Sequence, residues 1–176
     1  TDQWFVGTAR IVEPALEARI RELGARISND YAGRSLVVVG VLKGAVMFMA
    51  DLVRAIDRPL SMEFLGLSSY GDHTASSGVV RITQDLSRPI VDRDVLVVED
   101  IVDTGLTLSF LLENFRIRMP RSVRICTLLH KPVNTIKHVD LDYVGFSIED
   151  RFVVGYGLDW EQEYRNLPYI GCLKRE

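Results

Sequence analysis

Apolar residues recur along this chain in two alternating rhythms. Over 14–30, Leu16, Ile20, Leu23 and Ile27 return at three- and four-residue steps, the period of one helical face. Pro14 suits the first turn of such a helix, and Gly33 breaks the pattern. The run over 35–42 is continuous and rich in Val, which predicts a strand buried on both faces, as in a parallel sheet. Gly44 then opens a second predicted helix through Met47, Phe48, Leu52 and Val53, with Pro59 beyond its end. Further strands are predicted over 61–67, 79–84, 94–99, 122–129 and 142–146. A helix is predicted over 104–119, with Leu108, Leu111, Leu112 and Phe115 on one face.

Strands alternating with helices predict an α/β fold with a mostly parallel central sheet flanked by helices. A chain of 176 residues suits a single domain over 1–176 and can bury a sizeable core. No repeat or linker divides it. One segment departs from the rhythm. Residues 68–78 are rich in Ser, Gly and Thr, too long for a simple turn, and read as a lid or an ordinary loop. In open α/β sheets ligands lie beyond the carboxyl ends of the strands. The chemistry is therefore expected after Leu42, after Glu99 and after Leu129.

Composition narrows the function classes. With 47% hydrophobic and 26% charged residues, disorder is excluded as the dominant state. The net charge is −3 and no basic stripe is visible, which argues against nucleic acid and against an anionic membrane as partners. A local cationic pocket remains compatible with that balance. Cys126 and Cys172 make neither a disulfide framework nor a zinc set. Cys126 lies in an apolar run and is expected to be a buried thiol, and a reducing cytoplasm is the simplest setting. No signal-peptide pattern and no apolar run of membrane-spanning length is found.

The chemistry concentrates after the strand ending at Glu99. Two acids, Glu99 and Asp100, precede two apolar residues and then Asp103-Thr104-Gly105-Leu106-Thr107, where a helix begins. A small-residue loop at a helix N-terminus directs N–H groups and the positive dipole end at an anion. The Thr104 and Thr107 hydroxyls add donors. Glu99 and Asp100 would repel a phosphate, so they are read as facing sugar hydroxyls or a hard cation such as Mg²⁺, which takes oxygen ligands. Asp103, at the edge of the cradle, can accept a proton. The plainer alternative makes Asp103 a helix cap and the acids a solvated strand end. The complete run over 97–107 favours a phosphorylated sugar bound with magnesium.

That run resembles the phosphoribosyl-pyrophosphate (PRPP) motif of type I phosphoribosyltransferases. From about the first helix to Arg165 the chain is similar to the purine family of these enzymes, in its hypoxanthine (or hypoxanthine-guanine) branch. The resemblance implies a small hood from 1–12 and 146–176 over a core of about 13–145. It implies transfer of the 5-phosphoribosyl group from PRPP to a 6-oxopurine, with Mg²⁺ as cofactor and a homodimer or homotetramer as assembly. Leu42-Lys43-Gly44 matches the pyrophosphate loop, in which the peptide before Lys43 is often cis; from residues alone, a helix-start Gly beside an exposed Lys reads equally well. Ser69-Tyr70 matches the pair on the family's mobile loop, which closes over the reacting centre and excludes water. Lys131 matches the lysine that contacts the oxygen on purine carbon 6, although a surface Lys is the commoner reading of any single one.

In the segment over 151–159, the resemblance assigns stacking on the purine to Phe152 and a backbone hydrogen bond to the base to Val153. Asp159 is assigned a place near the base and a second magnesium, which adds it to Glu99 and Asp100 as a metal residue. Arg165 matches the arginine that reaches pyrophosphate, a role suited to a fixed charged fork. Without the resemblance, 152–154 would be read as core strand. Trp160, where many relatives carry Tyr, and Ala45, where some carry Gly, depart from the pattern without removing a ligand. The competing class is a PRPP- or nucleotide-sensing regulator that binds RNA or DNA on the same fold. It normally needs a basic face or an added domain, and neither is visible.

Overall fold

The computed structural model describes residues 4–69 and 80–175. Along the chain run β1 (Trp4–Ile11), α1 (Glu13–Asp30), β2 (Leu36–Leu42), α2 (Val46–Ala55), β3 (Leu60–Ser69) and β4 (Val80–Gln84). Then come β5 (Asp94–Val102), α3 (Leu106–Ile117), β6 (Ser122–His130), β7 (Tyr143–Ser147), β8 (Val153–Val154) and β9 (Ile170–Arg175), with a short 3-10 turn at Pro132–Asn134.

The two Val-rich runs form the middle of a six-stranded sheet ordered β4-β3-β2-β5-β6-β7. All of its pairs are parallel except β3 with β4, an antiparallel edge. Being covered on both faces, β2 and β5 need no polar alternation, which is why they read as continuous apolar runs. Side chains nevertheless alternate between faces. Leu96 and Val98 of β5 join the cluster built on α1 and α2, with Leu23, Phe48 and Leu52. Val95 and Val97 join the cluster built on α3, with Leu111 and Phe115. Phe48 is wholly buried in the first cluster. Phe48→Ala is expected to cost about 3–5 kcal/mol, seen as a lower urea midpoint at unchanged slope.

A second sheet, ordered β1-β9-β8 and antiparallel throughout, is made by the two ends of the chain. Ile11, Val153, Ile170 and Cys172 bury its inner side against the α1–α2 cluster. This hood therefore shares a core with the main sheet. Phe146 and Ser147 close β7 and stay with the central sheet. Both cysteines are buried free thiols, and burial pushes the Cys126 thiol far up from its ordinary range, as its apolar setting predicts. No helix among the described residues is long and apolar enough to cross a membrane.

Candidate active site

The acids do not lie in a loop. β5, expected to stop at Glu99, keeps its pairing with β6 through Ile101↔Leu129 and Val102↔His130. Glu99 and Asp100 thus occupy the carboxyl end of the central strand, where both line one cavity. Glu99 is buried, and desolvation, with the neighbouring Asp100 charge second, raises its carboxyl well above the usual range. Burial lifts Asp100 to about 6, against the pull of the Ile101 N–H and the Arg165 charge. The Ile101 N–H donates to Asp100 Oδ1 at 2.8 Å. Among the described residues, no Lys or Arg forms an ion pair with either acid. Buried charge without a partner is costly, so this pair is suited to sugar hydroxyls or a hard cation.

Just beyond, Gly105 takes the left-handed conformation at φ 83° and stands as the N-cap of α3. A Cβ there would lie 2.1 Å from the Lys137 carbonyl oxygen, so glycine alone fits. Among the described residues the N-cap position gives α3 no side-chain hydrogen bond, and Thr104 Oγ1 accepts only a long one from its first N–H; Asp103 does not fill the capping role that the plainer reading gave it. The Thr104 carbonyl accepts N–H groups from Ile136 and Lys137, both at 3.0 Å. That pins the loop from behind and leaves the helix N-terminus facing a cavity of about 320 Å³. Glu99, Asp100, Asp103, Thr104, Gly105 and Thr107 line it. A helix N-terminus over an open cavity is an anion site in form and charge. Leu106 opens the helix, its N–H 3.4 Å from Thr104 Oγ1.

Three distant segments converge beside the cavity. The Leu42–Lys43 peptide is cis, the geometry that the resemblance implied. Gly44 is pressed so closely on β5 that a Cβ would meet Asp100 Oδ2 at 1.8 Å. On its other side sits Gly157, whose own Cβ would lie 2.1 Å from the Gly44 oxygen. Arg165 donates from Nη1 to the Gly157 carbonyl at 2.6 Å, and its Nη2 lies 3.1 Å from Asp159 Oδ1. Lys43, Gly44, Asp100, Gly157, Asp159 and Arg165 therefore form one continuous wall. Ser69 ends β3, on the strand whose Leu67 and Ser68 line the cavity. Tyr70 lies outside the described residues.

On the other flank, Lys131 is 7% exposed. Its backbone N–H holds the Val102 carbonyl at 3.0 Å, which fixes it at the sheet's carboxyl edge. Its Nζ lies 3.5 Å from Asp150 Oδ1 and 4.0 Å from Asp103 Oδ2. The other Asp103 oxygen, Oδ1, is buried without a hydrogen-bond partner among the described residues. Phe152 is 50% exposed and meets Trp160 edge-on at 5.2 Å. A half-exposed aromatic ring held edge-on by a second suits stacking on a flat ligand. Val153 is buried in β8, paired with Cys172.

Two features had no signal in the sequence. Asp150, held at 2.9 Å by Asn134, shares Lys131 with Asp103. Gln162 bridges Lys43 and Arg165, its Oε1 3.3 Å from each. No group of three or more His, Cys, Asp or Glu among the described residues is placed to hold a metal by itself. A cation held by one or two carboxylates and a substrate phosphate needs no such group. His138 is exposed and pairs with Asp140 at 3.0 Å, in keeping with a surface role.

The family model for the phosphoribosyl transferase domain matches residues 7–161. The chain belongs to the phosphoribosyl transferase family. Within this family it is 56% identical to the hypoxanthine-guanine phosphoribosyltransferase of Mycobacterium avium over 164 residues, covering 90% of this chain and 81% of that protein. It is 50% identical to the enzyme of the same name from Bacillus subtilis, covering 93% and 91%. Among solved structures, a hypoxanthine-guanine phosphoribosyltransferase of Bacillus anthracis superposes with a TM-score of 0.92 at 39% identity, covering 98% of this chain and 99% of that one. The fold is thus that of the type I phosphoribosyltransferases, as the resemblance implied; the strand and helix rhythm by itself predicted its mostly parallel α/β sheet.

Proposed function

We propose that this phosphoribosyltransferase moves the 5-phosphoribosyl group of PRPP onto a 6-oxopurine, hypoxanthine and also guanine, giving IMP or GMP and pyrophosphate in purine salvage. The helix N-terminus of α3 opening on the same cavity as the Glu99–Asp100 acid pair carries this reading. The 5′-phosphate lies on the amides and hydroxyls of Asp103, Thr104, Gly105, Leu106 and Thr107. Glu99 and Asp100 face the ribose hydroxyls. Lys43, Gly44 and Arg165 receive the pyrophosphate. Lys131 donates to the oxygen on purine carbon 6, Phe152 stacks on the ring and the Val153 backbone reads its edge.

Transfer breaks the bond from ribose carbon 1 to the pyrophosphate oxygen and forms one from that carbon to a base nitrogen. Positive charge develops on the ribose ring between those events, where preorganised carboxylates stabilise it. The proton released by the base passes to Asp103, whose buried Oδ1 has no other use among the described residues. Magnesium, when bound, would offset the charge of the departing pyrophosphate; Glu99, Asp100 and Asp159 are the residues fit to hold it, directly or through water. Ser69, the last residue of β3, and Tyr70 are the pair to which the resemblance gives the role of closing over the centre.

The chain is proposed to act as one unit in the cytoplasm, as a homodimer or homotetramer, which sedimentation would resolve. The regulator reading finds no favouring observation, since the named relatives are transferases. Spectrophotometric assay of hypoxanthine, guanine, xanthine and uracil, each with PRPP and Mg²⁺, tests the function. Turnover confined to the first two supports it; turnover of uracil alone, or of none, refutes it. Phe152→Ala is expected to raise KM for the base about tenfold while moving KM for PRPP less than about threefold, because the ring touches only the base.

A further inference from the structure

Gln162 sits where the two cations of the pyrophosphate wall meet. Its Oε1 accepts from Lys43 Nζ at 3.3 Å and from Arg165 Nη2 at 3.3 Å. Its backbone N–H donates to Asp159 Oδ2 at 2.9 Å, and Asp159 is the acid that pairs with the same Arg165. The turn that carries it is unusual. Glu161, Gln162 and Tyr164 all have positive φ, 50°, 70° and 73°, and none of them is glycine. Such conformations are uncommon and persist where surrounding contacts over-determine them, often at functional sites. Here the reversed turn folds Gln162 back over a lysine that lies 119 residues away in the chain.

We infer that Gln162 is a positioning residue, and that its amide oxygen stands in for a pyrophosphate oxygen when no substrate is bound. The inference rests on the assignment of Lys43 and Arg165 to pyrophosphate. A neutral amide oxygen can gather two cations at one point without neutralising either. It brings no charge of its own, and a phosphate oxygen, with stronger charge-assisted hydrogen bonds, displaces it. A carboxylate at the same point would gather them too, but it would compete for them as a fixed anion. Charge at position 162, rather than its size, should therefore set affinity for the leaving group.

Inorganic pyrophosphate with MgCl2, titrated calorimetrically into the purified enzyme, provides the test. Gln162→Glu should weaken pyrophosphate binding and raise KM for PRPP about tenfold, an effect that shrinks as salt screens the added charge. KM for hypoxanthine should stay within about twofold, and kcat within about threefold. Gln162→Ala, which removes the anchor without adding charge, should weaken pyrophosphate by less than about threefold. In a Lys43→Met background the effect of Gln162→Glu should fall by at least half, as expected for residues in one network. Equal losses from Glu and Ala would overturn the inference, since they would mark a structural turn. So would unchanged pyrophosphate affinity in Gln162→Glu, or an undiminished effect without Lys43. Failure of the wild type to bind pyrophosphate would instead overturn the proposed function as well, which separates the two.

Discussion

Asp103→Asn is expected to lower kcat by about 10²–10⁴-fold, the usual range for loss of a general base, while the fold and PRPP binding survive. The geometry separates these effects. The loop that carries Asp103 is held by main-chain bonds, from Ile136 and Lys137 to the Thr104 carbonyl and from Lys131 to the Val102 carbonyl. Among the described residues the Asp103 side chain makes no hydrogen bond to that scaffold, and its Oδ1 is buried without a partner. Asparagine keeps the size and an acceptor oxygen but takes up no proton. Lys131 loses one of two neighbouring carboxylates and keeps Asp150 at 3.5 Å, so base binding should change little. The decisive measurement is steady-state kinetics with hypoxanthine beside a thermal melt. A KM for PRPP within about threefold and a Tm within about 2 °C, with turnover lost, assigns Asp103 to proton transfer. Turnover equal to wild type would remove that role.

The parts of the molecule that periodicity could reveal are those where the local sequence decides the structure. The buried strands β2 and β5 and the helical faces of α1 and α3 are long enough to carry their own signal. The candidate cradle over Asp103–Thr107 stood out in the sequence for a similar reason, because every part of it is contiguous. Other features depend on partners far along the chain. The antiparallel direction of β4 and the register of β8 are set by pairing with β3 and β9, which no local pattern encodes. Glu99 closed the predicted strand and Asp100 resembled the start of a loop, because acids are rare in central strands; β5 runs on to Val102 because β6 pairs on past them. Lys131 and Phe152 were recognisable only through the family resemblance, since a lone Lys and a Phe-Val-Val run have commoner explanations. Gln162 gave no signal at all. Its importance comes from a left-handed turn that brings it to Lys43.

Asp100→Asn should abolish most activity and yet make the substrate-free protein more stable, and the gain should depend on pH. Partial burial holds the folded-state pKa of Asp100 near 6, above its ordinary value of 3.8. Between these values the native state binds more protons than the unfolded one, so stability falls as pH rises from about 4 and the loss is complete above the folded pKa. An asparagine has no such charge to desolvate. It also retains the acceptor oxygen for the Ile101 N–H at 2.8 Å, and it should fit beside Gly44 as the aspartate does. The variant's Tm should therefore match wild type near pH 4 and exceed it by roughly 3–8 °C at pH 8. Glu99, raised in the same way by burial and by Asp100, should become easier to ionise once that neighbour is neutral, which adds to the gain at high pH. The trade reflects a site kept for chemistry rather than stability. Magnesium with pyrophosphate should raise the wild-type Tm more than that of the variant, because only the wild type has an Asp100 charge for a cation to relieve. A variant no more stable than wild type at pH 8, or equal stabilisation of both by the ligands, would mean that Asp100 is already compensated within the fold and is not waiting for one.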